Sequence, residues 1–208
     1  IGSNLPVGET LDFKGAEDLI FGYVLLNDWS ARDIQSWEYQ PLGPFLSKSF
    51  GTSISPWIIT PEALEPFKTK TPERKFKLLP HFEDDKAFVF DISLNVTLIE
   101  EDGSQTKITE TNSKELYYST VQQVIHHASA GCGLSTGDLM GSGTISGTEE
   151  GSFGCMLELS WGGKEKIVLN SGNKRDFLED NDIIVLSGSA MEDNFTIGFG
   201  SCSGRIVK

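Results

Sequence analysis

Long apolar runs are missing from this chain of 208 residues. Nowhere do eighteen apolar residues follow one another, so no membrane-spanning helix is encoded. Cysteine is scarce as well. Cys132, Cys155 and Cys202 are odd in number, far apart and without zinc-type spacing, which argues against both a disulfide framework and a metal knuckle. They are expected to be buried thiols in a reducing compartment. Positive charge is the third shortage: 17 Lys and Arg face 30 Asp and Glu, for a net charge of −13. Such a chain repels phosphate backbones, and its acidity serves solubility, so a nucleic-acid partner is not expected. No basic stretch leads into an apolar one near the start, so nothing argues for export. The chain opens at Ile1 with a turn-like GSNLPVGET, the beginning expected of a fragment or a trimmed chain.

What remains is a chain 38% hydrophobic, long enough to bury a core as one domain or a large part of one. Strand and turn signals dominate. IFGYVLL, residues 20–26, is a continuous apolar run suited to a strand buried on both faces. Between residues 88 and 98 Phe88, Phe90, Ile92, Leu94, Val96 and Leu98 alternate onto one face, which predicts a single long strand. GCMLELSW, KIVLN, DIIVLSG and FTIGFG are shorter strand candidates, separated by WGGK, NSGN and EDND. NSKELYYSTVQQVIHHASA predicts a helix capped by Asn112 or Ser113, with Leu116, Thr120, Val124 and Ala128 along one stripe. KTKTPERKFK, residues 68–77, reads as an exposed basic connector. Repeats and low-complexity tracts are absent, and the expected class is β-rich α+β.

One stretch concentrates polar chemistry: NDWSARDIQSWEYQPLGPFLSKSFGT, residues 27–52. A strand is expected to end at Asp28, and SARD has the S-x-x-[DE] form of a capping box, so a short helix should begin near Ala31. On it Arg32, Gln35 and Tyr39 stand at i, i+3 and i+7, on one face. PLGPF makes a rigid turn, after which Lys48 and Thr52 return. Spacing alone accommodates equally well a donor-rich site with Asp28 at its edge and a solvated surface helix with a locally capping Asp28. Glu158, in the predicted CMLELS strand, alternates away from Leu157 and Leu159 and reads from pattern alone as a solvent-facing residue.

Four segments together carry a resemblance: NDWSARDIQSWEYQPLGPFLSKSFGTSISPW, HHASAGCGLSTGDLMGSGTISG, FGCMLELSW and IGFGSCSG. The chain resembles the fumarylacetoacetate hydrolase family over essentially its whole length. Its WEYQPLGPFL insert and its KSFGT, in place of a KSFDT-like core, resemble the tyrosine-pathway branch rather than the shorter acylpyruvate hydrolases and decarboxylases. The resemblance implies the mixed β-sandwich roll of that family's C-terminal domain. It implies one catalytic domain over residues 1–208, incomplete on its N-terminal side, with a small N-terminal domain and the first part of the catalytic domain lying outside it.

Position by position, the resemblance assigns Asp28, Lys48 and Thr52 to a Mg²⁺ or Ca²⁺ site, although a charged ammonium cannot ligate a metal and Lys48 suits neutralising a carboxylate or contacting substrate oxygen better. It assigns Arg32, Gln35 and Lys48 to oxyanion stabilisation, Gln35, Tyr39 and Thr144 to substrate binding, and Glu158 to orienting a catalytic histidine. That histidine and the remaining metal carboxylates are expected outside these residues. His126 and His127 read as helix residues rather than as the base. The implied activity is metal-dependent hydrolysis of the carbon–carbon bond of 4-fumarylacetoacetate, closing tyrosine and phenylalanine breakdown, by a cytoplasmic homodimer with which Trp29, Trp37 and Trp57 are compatible. The alternatives are another hydrolase or isomerase of the superfamily acting on acylpyruvates or 2,4-diketo acids, and a non-catalytic scaffold module. These 208 residues alone are expected to be inactive.

Overall fold

The structure, a computed structural model, describes residues 1–83 and 87–207. Helix α1 (Phe13–Leu19) comes first, its amino end capped by the Asp12 carboxylate, which accepts from the Gly15 amide at 2.7 Å. Then follow β1 (Leu26–Asp28), α2 (Arg32–Glu38), β2 (Thr52–Ile54), α3 (Pro61–Leu64), β3 (Lys68–Lys70), β4 (Phe88–Phe90), β5 (Ser93–Ile99) and β6 (Gln105–Asn112). The second half adds α4 (Thr120–Ser129), α5 (Met156–Leu159), β7 (Ile167–Val168), β8 (Lys174–Arg175), β9 (Ile183–Glu192) and β10 (Phe195–Arg205). An antiparallel sheet runs in the order β10-β9-β5-β6, and β1–β2, β3–β4 and β7–β8 form small antiparallel pairs. This is the mixed, β-rich α+β architecture expected.

The residues predicted as one strand over 88–98 divide between two sheets. Phe88–Phe90 pairs with β3, whereas Ser93–Ile99 enters the large sheet between β6 and β9. Asp91 holds the corner: its amide donates to the Phe67 carbonyl at 2.9 Å, and its carboxylate accepts from Asn112 at 2.6 Å and Lys114 at 3.2 Å. The period of two survives because a corner turns the strand without turning the inner face out; Phe90, Ile92 and Leu98 are all buried. The run at 20–26 falls short of a doubly buried strand. Tyr23 makes an isolated bridge to Ile59, Leu25 is buried, and Phe21 is exposed, since a two-stranded pair cannot cover both faces.

Helix α4 begins later than the sequence suggests. Asn112 caps only a single 3₁₀ turn, accepting from the Lys114 amide, while Ser119 caps the helix itself. Ser119 Oγ accepts from the Gln122 amide at 3.1 Å and Gln122 Oε1 accepts from the Ser119 amide at 2.9 Å, a reciprocal box that satisfies two otherwise orphaned donors. Val121, Val124, Ile125 and Ala128 form its buried stripe and pack on Ala16 and Leu19 of α1. The basic segment over 68–77 is a strand at its start. Lys68 Nζ lies 3.9 Å from the centre of the Phe88 ring and pairs with Glu17 and Glu65, so it is part of the packing and not a free connector. Of the three free cysteines Cys202 alone is buried; Cys155 is half-buried and Cys132 exposed, which corrects the expectation of three buried thiols.

A second apolar cluster, with Leu25, Leu64, Phe67, Phe90 and Phe199, lies under β1 and the large sheet, and a third gathers Leu98, Ile108, Leu169 and Ile184 with Trp29, Met156 and Leu159 against it. Strand β10 ties these to the polar stretch. The thiol of Cys202 is pushed up by burial and drawn back by the Asn27 amide beside it, so β10 passes directly against β1. Two β10 glycines are seats for tryptophans. A Cβ on Gly204 would stand 2.4 Å from Trp29 Cζ2, and one on Gly200, at φ +72°, 2.8 Å from Trp57 Cδ1.

Candidate functional site

Asp28 ends β1 and Thr52 begins β2, and the antiparallel register sets them directly opposite each other. Lys48, carried back by a 3₁₀ turn at Leu46–Lys48, donates from Nζ to Asp28 Oδ2 at 2.9 Å and to Ser30 Oγ at 2.7 Å. Ser30 in turn donates to the Asp28 carbonyl at 2.8 Å. That commitment is why the anticipated capping box is not made. The helix cap is Ala31, without a side-chain bond, and Asp33 turns to its neighbouring Ile34 amide. Asp28 is about half exposed, and its Oδ1 has no hydrogen-bond partner among the described residues.

Glu38, at the far end of α2, holds the loop that returns Lys48. Its Oε1 accepts from the Phe45 and Ser47 amides at 2.8 and 2.9 Å, and its Oε2 from Leu46 at 3.2 Å. The neighbouring Ser47 hydroxyl, followed by the Ser47, Phe45 and Leu46 amides, holds the carboxyl down at about 2. The hydroxyl lies close without meeting the geometry of a hydrogen bond, so the three amides carry the structural link. Sequence reasoning missed both Ser30 and Glu38. Both act across loop returns, and neither stands at a helical or strand period from its partner.

Arg32 and Gln35 share a face of α2 as their spacing predicts: an Arg32 terminal nitrogen donates to Gln35 Oε1 at 2.8 Å. That bond orients the carboxamide so that its NH₂ is free to donate. Tyr39 lies one residue beyond the helix, exposed at its carboxyl end.

Glu158 is not on a strand. CMLELS forms the single-turn helix α5, in which the Glu158 and Leu159 amides both donate to the Cys155 carbonyl at 3.1 Å. WGG, read as strand punctuation, ends that helix through three successive left-handed residues, Trp161 at φ 49°, Gly162 at φ 70° and Gly163 at φ 81°. A short apolar run of this length does not distinguish helix from strand by period. Glu158 is solvent-accessible, yet its Oε2 accepts from Ser146 Oγ at 2.8 Å and from Cys155 Sγ at 3.2 Å. Thr144 is exposed in the loop that carries Ser146. Burial pushes the Cys155 thiol up; the Glu158 amide draws it down, the Glu158 carboxylate pushes it up again, and the charge of Arg32 lowers it last and least.

His126 and His127 are exposed in the last turn of α4, where His126 packs on Phe82 at 5.7 Å between ring centres. Helix α4 belongs to the α1 cluster, whereas Met156 and Leu159 of α5 pack in the third, in keeping with the reading of both histidines as helix residues. For a metal, the donors present are of the right kind but few. Mg²⁺ and Ca²⁺ take six or more oxygens. Asp28 Oδ1 and the opposite Thr52 hydroxyl are such donors, and the described residues contain no group of three His, Cys, Asp or Glu that could hold an ion. They fit one edge of a cation site.

The fold also occurs in known proteins. The crystal structure of Cg1458 superposes with a TM-score of 0.58 at 17% identity, covering 100% of this chain and 56% of that one, and so shows the same fold. The family model described as fumarylacetoacetate (FAA) hydrolase C-terminal matches residues 1–207, and the chain belongs to that family. Among its curated relatives, the fumarylacetoacetase of Bos taurus is 49% identical over 208 residues, that of Arabidopsis thaliana 48% and that of Homo sapiens 47%. Each alignment takes in 100% of this chain and 49–50% of the relative, so the chain spans about half the length of the curated relatives it matches.

Proposed function

We propose that this chain supplies the oxyanion-stabilising and histidine-orienting side of an active site that hydrolyses the carbon–carbon bond of 4-fumarylacetoacetate to fumarate and acetoacetate. The observation that supports it most is the donor face on which Arg32 orients the Gln35 carboxamide at 2.8 Å, in a chain nearly half identical to fumarylacetoacetases along its whole length. Arg32, the Gln35 NH₂ and Lys48 are donors suited to a dianionic diketo acid. Aimed at the oxygen on which charge develops as water adds to the carbonyl carbon, each is worth roughly 3–4 kcal/mol. Tyr39 and Thr144, both exposed, would bind the substrate's remaining oxygens in this reading. Glu158 holds a histidine base and stabilises its imidazolium while that base takes the proton from water. The electron pair of the broken bond leaves on the acetoacetate carbon as an enolate and is then protonated.

Mg²⁺ or Ca²⁺ bound at Asp28 and Thr52 would polarise the diketone and favour that enolate. Lys48, in this reading, balances the Asp28 charge and does not itself ligate. The base histidine and the remaining metal carboxylates come from outside residues 1–208, so these residues alone do not turn substrate over. The same reading includes a role in tyrosine and phenylalanine breakdown, a cytoplasmic location consistent with three unpaired thiols, and a homodimer. Exposed Trp37, Leu42, Leu46, Phe50 and Trp57 offer apolar surface for a subunit contact. Steady-state kinetics on the complete protein test the substrate assignment. A higher kcat/KM for fumarylacetoacetate than for short acylpyruvates is expected, and the reverse order would replace this reading with an acylpyruvate hydrolase.

A further inference from the structure

Ser146 makes two hydrogen bonds that point in opposite senses. It accepts from the Gly154 amide at 2.9 Å and donates to Glu158 Oε2 at 2.8 Å. Because the first bond occupies a lone pair, the hydroxyl hydrogen is left to turn onto the carboxylate. The loop cannot drift from this position. A Cβ on Gly154 would stand 2.4 Å from the Ile145 carbonyl oxygen and 2.8 Å from Thr144 Cγ2, so residues 144–146 are pressed against the backbone that leads into α5. From the other side Cys155, the residue before the first turn of α5, donates its thiol to the same Oε2 at 3.2 Å. Burial keeps that thiol protonated and therefore a donor. One carboxylate oxygen of Glu158 is thus doubly engaged, while Oε1 receives no hydrogen bond from any described residue.

We propose that Ser146 and Cys155 are positioning residues for Glu158: by saturating Oε2 they turn Oε1 toward the catalytic base, and Ser146 locks the Thr144 loop into register with that carboxylate. The proposal rests on the reading of Glu158 as the histidine's partner. Its physical content is pre-organisation. A carboxylate on a solvent-accessible single-turn helix has free rotamers, and two donors on one oxygen remove that freedom before substrate arrives.

The test uses the complete protein and five variants: Ser146→Ala, Ser146→Thr, Cys155→Ala, Glu158→Ala and Ser146→Ala combined with Glu158→Ala. Ser146→Ala should lower kcat roughly 10- to 100-fold, the range typical of outer partners of functional groups, with KM little changed. Cys155→Ala should lose less, since a thiol is the weaker donor. Ser146→Thr, which keeps the hydroxyl, should recover most of the rate. In the Glu158→Ala background Ser146→Ala should cost nothing further, because it acts only through that carboxylate. Equal losses in both backgrounds, or a loss of kcat matched by a loss of folded protein in thermal melts, would reduce Ser146 to a loop staple and overturn the proposal. If Glu158→Ala itself retained full kcat, the reading of Glu158 would fall first and take the proposal with it; that result is distinct because the silent variant is Glu158 and not Ser146.

Discussion

Substituting alanine for Gly204 places a methyl carbon inside an indole. The added atom stands 2.4 Å from Trp29 Cζ2, 3.2 Å from Cε2 and 3.3 Å from Cη2. Ordinary carbon–carbon contact is about 3.5–4.0 Å, so ring and strand must separate by about 1 Å. The ring is not free to retreat, because its Nε1 donates to Ser53 Oγ at 2.9 Å and its body packs against the cluster of Leu98 and Ile184. Overpacking of this kind costs about 1–3 kcal/mol, and loosening the indole hydrogen bond adds about 1 kcal/mol. For a chain of this size the sum corresponds to a Tm lower by roughly 5–15 °C. Trp29 also stands between Asp28 and Ser30, so a displacement of its ring reaches the Lys48 clamp, where a misplacement of about 1 Å can cost on the order of 100-fold in rate. Differential scanning calorimetry on Gly204→Ala, Trp29→Phe and the double variant gives the coupling. Phenylalanine lacks the outer indole atoms that the methyl meets, so the double variant should be more stable than the sum of the single losses predicts. A Tm for Gly204→Ala within about 1 °C of the parent, or strictly additive losses, would show that Gly204 does not seat the indole.

Glu158→Gln keeps the shape of the side chain and removes its charge; by the analogy of hydrolytic triads, kcat should fall on the order of 10⁴ while KM changes little, and a kcat near the parent's would refute the assignment. Glu38→Gln should speed amide hydrogen exchange at Phe45, Leu46 and Ser47, which the carboxylate now holds; unchanged exchange would mean the loop is held by other means. The pH sign follows from its depressed titration near 2: the unfolded chain takes up the proton first as pH falls, so the clamp's stabilisation is complete above the ordinary glutamate range and fades as pH drops toward about 2, and exchange at those amides should rise over that window. Chelation of the complete protein should abolish turnover and Mg²⁺ or Ca²⁺ should restore it; turnover indifferent to chelator would remove Asp28 and Thr52 from any metal role.

Much of the local order is legible in the residues themselves. The period of two from Phe88 to Leu98, the short strand segments DIIVLSG and FTIGFG that form parts of β9 and β10, and the one-face placement of Arg32 and Gln35 follow from side-chain geometry within a few residues. The misreadings are local as well, and each has a competing local cause. Ser119–Gln122 outcompetes Asn112 as a cap because it satisfies two donors at once. CMLELS becomes a helical turn because the left-handed WGG that follows can close one. The corner at Asp91 is invisible to periodicity, since the inner face stays inner.

By itself, then, the amino-acid sequence determined a β-rich acidic chain, its family, and the polar stretch at residues 27–52 as the place to look. Tertiary structure alone decided which of those groups meet. Lys48 finds Asp28 and Ser30 across a returning loop, Ser146 and Cys155 converge on one oxygen of Glu158, and Trp29 settles on Gly204. The physical reason is range. Helix and strand periods relate residues a few positions apart, whereas these contacts are set by sheet pairing and by close packing between segments distant in the chain, where a glycine's missing methyl or a carboxylate's free lone pair matters only once its partner has arrived.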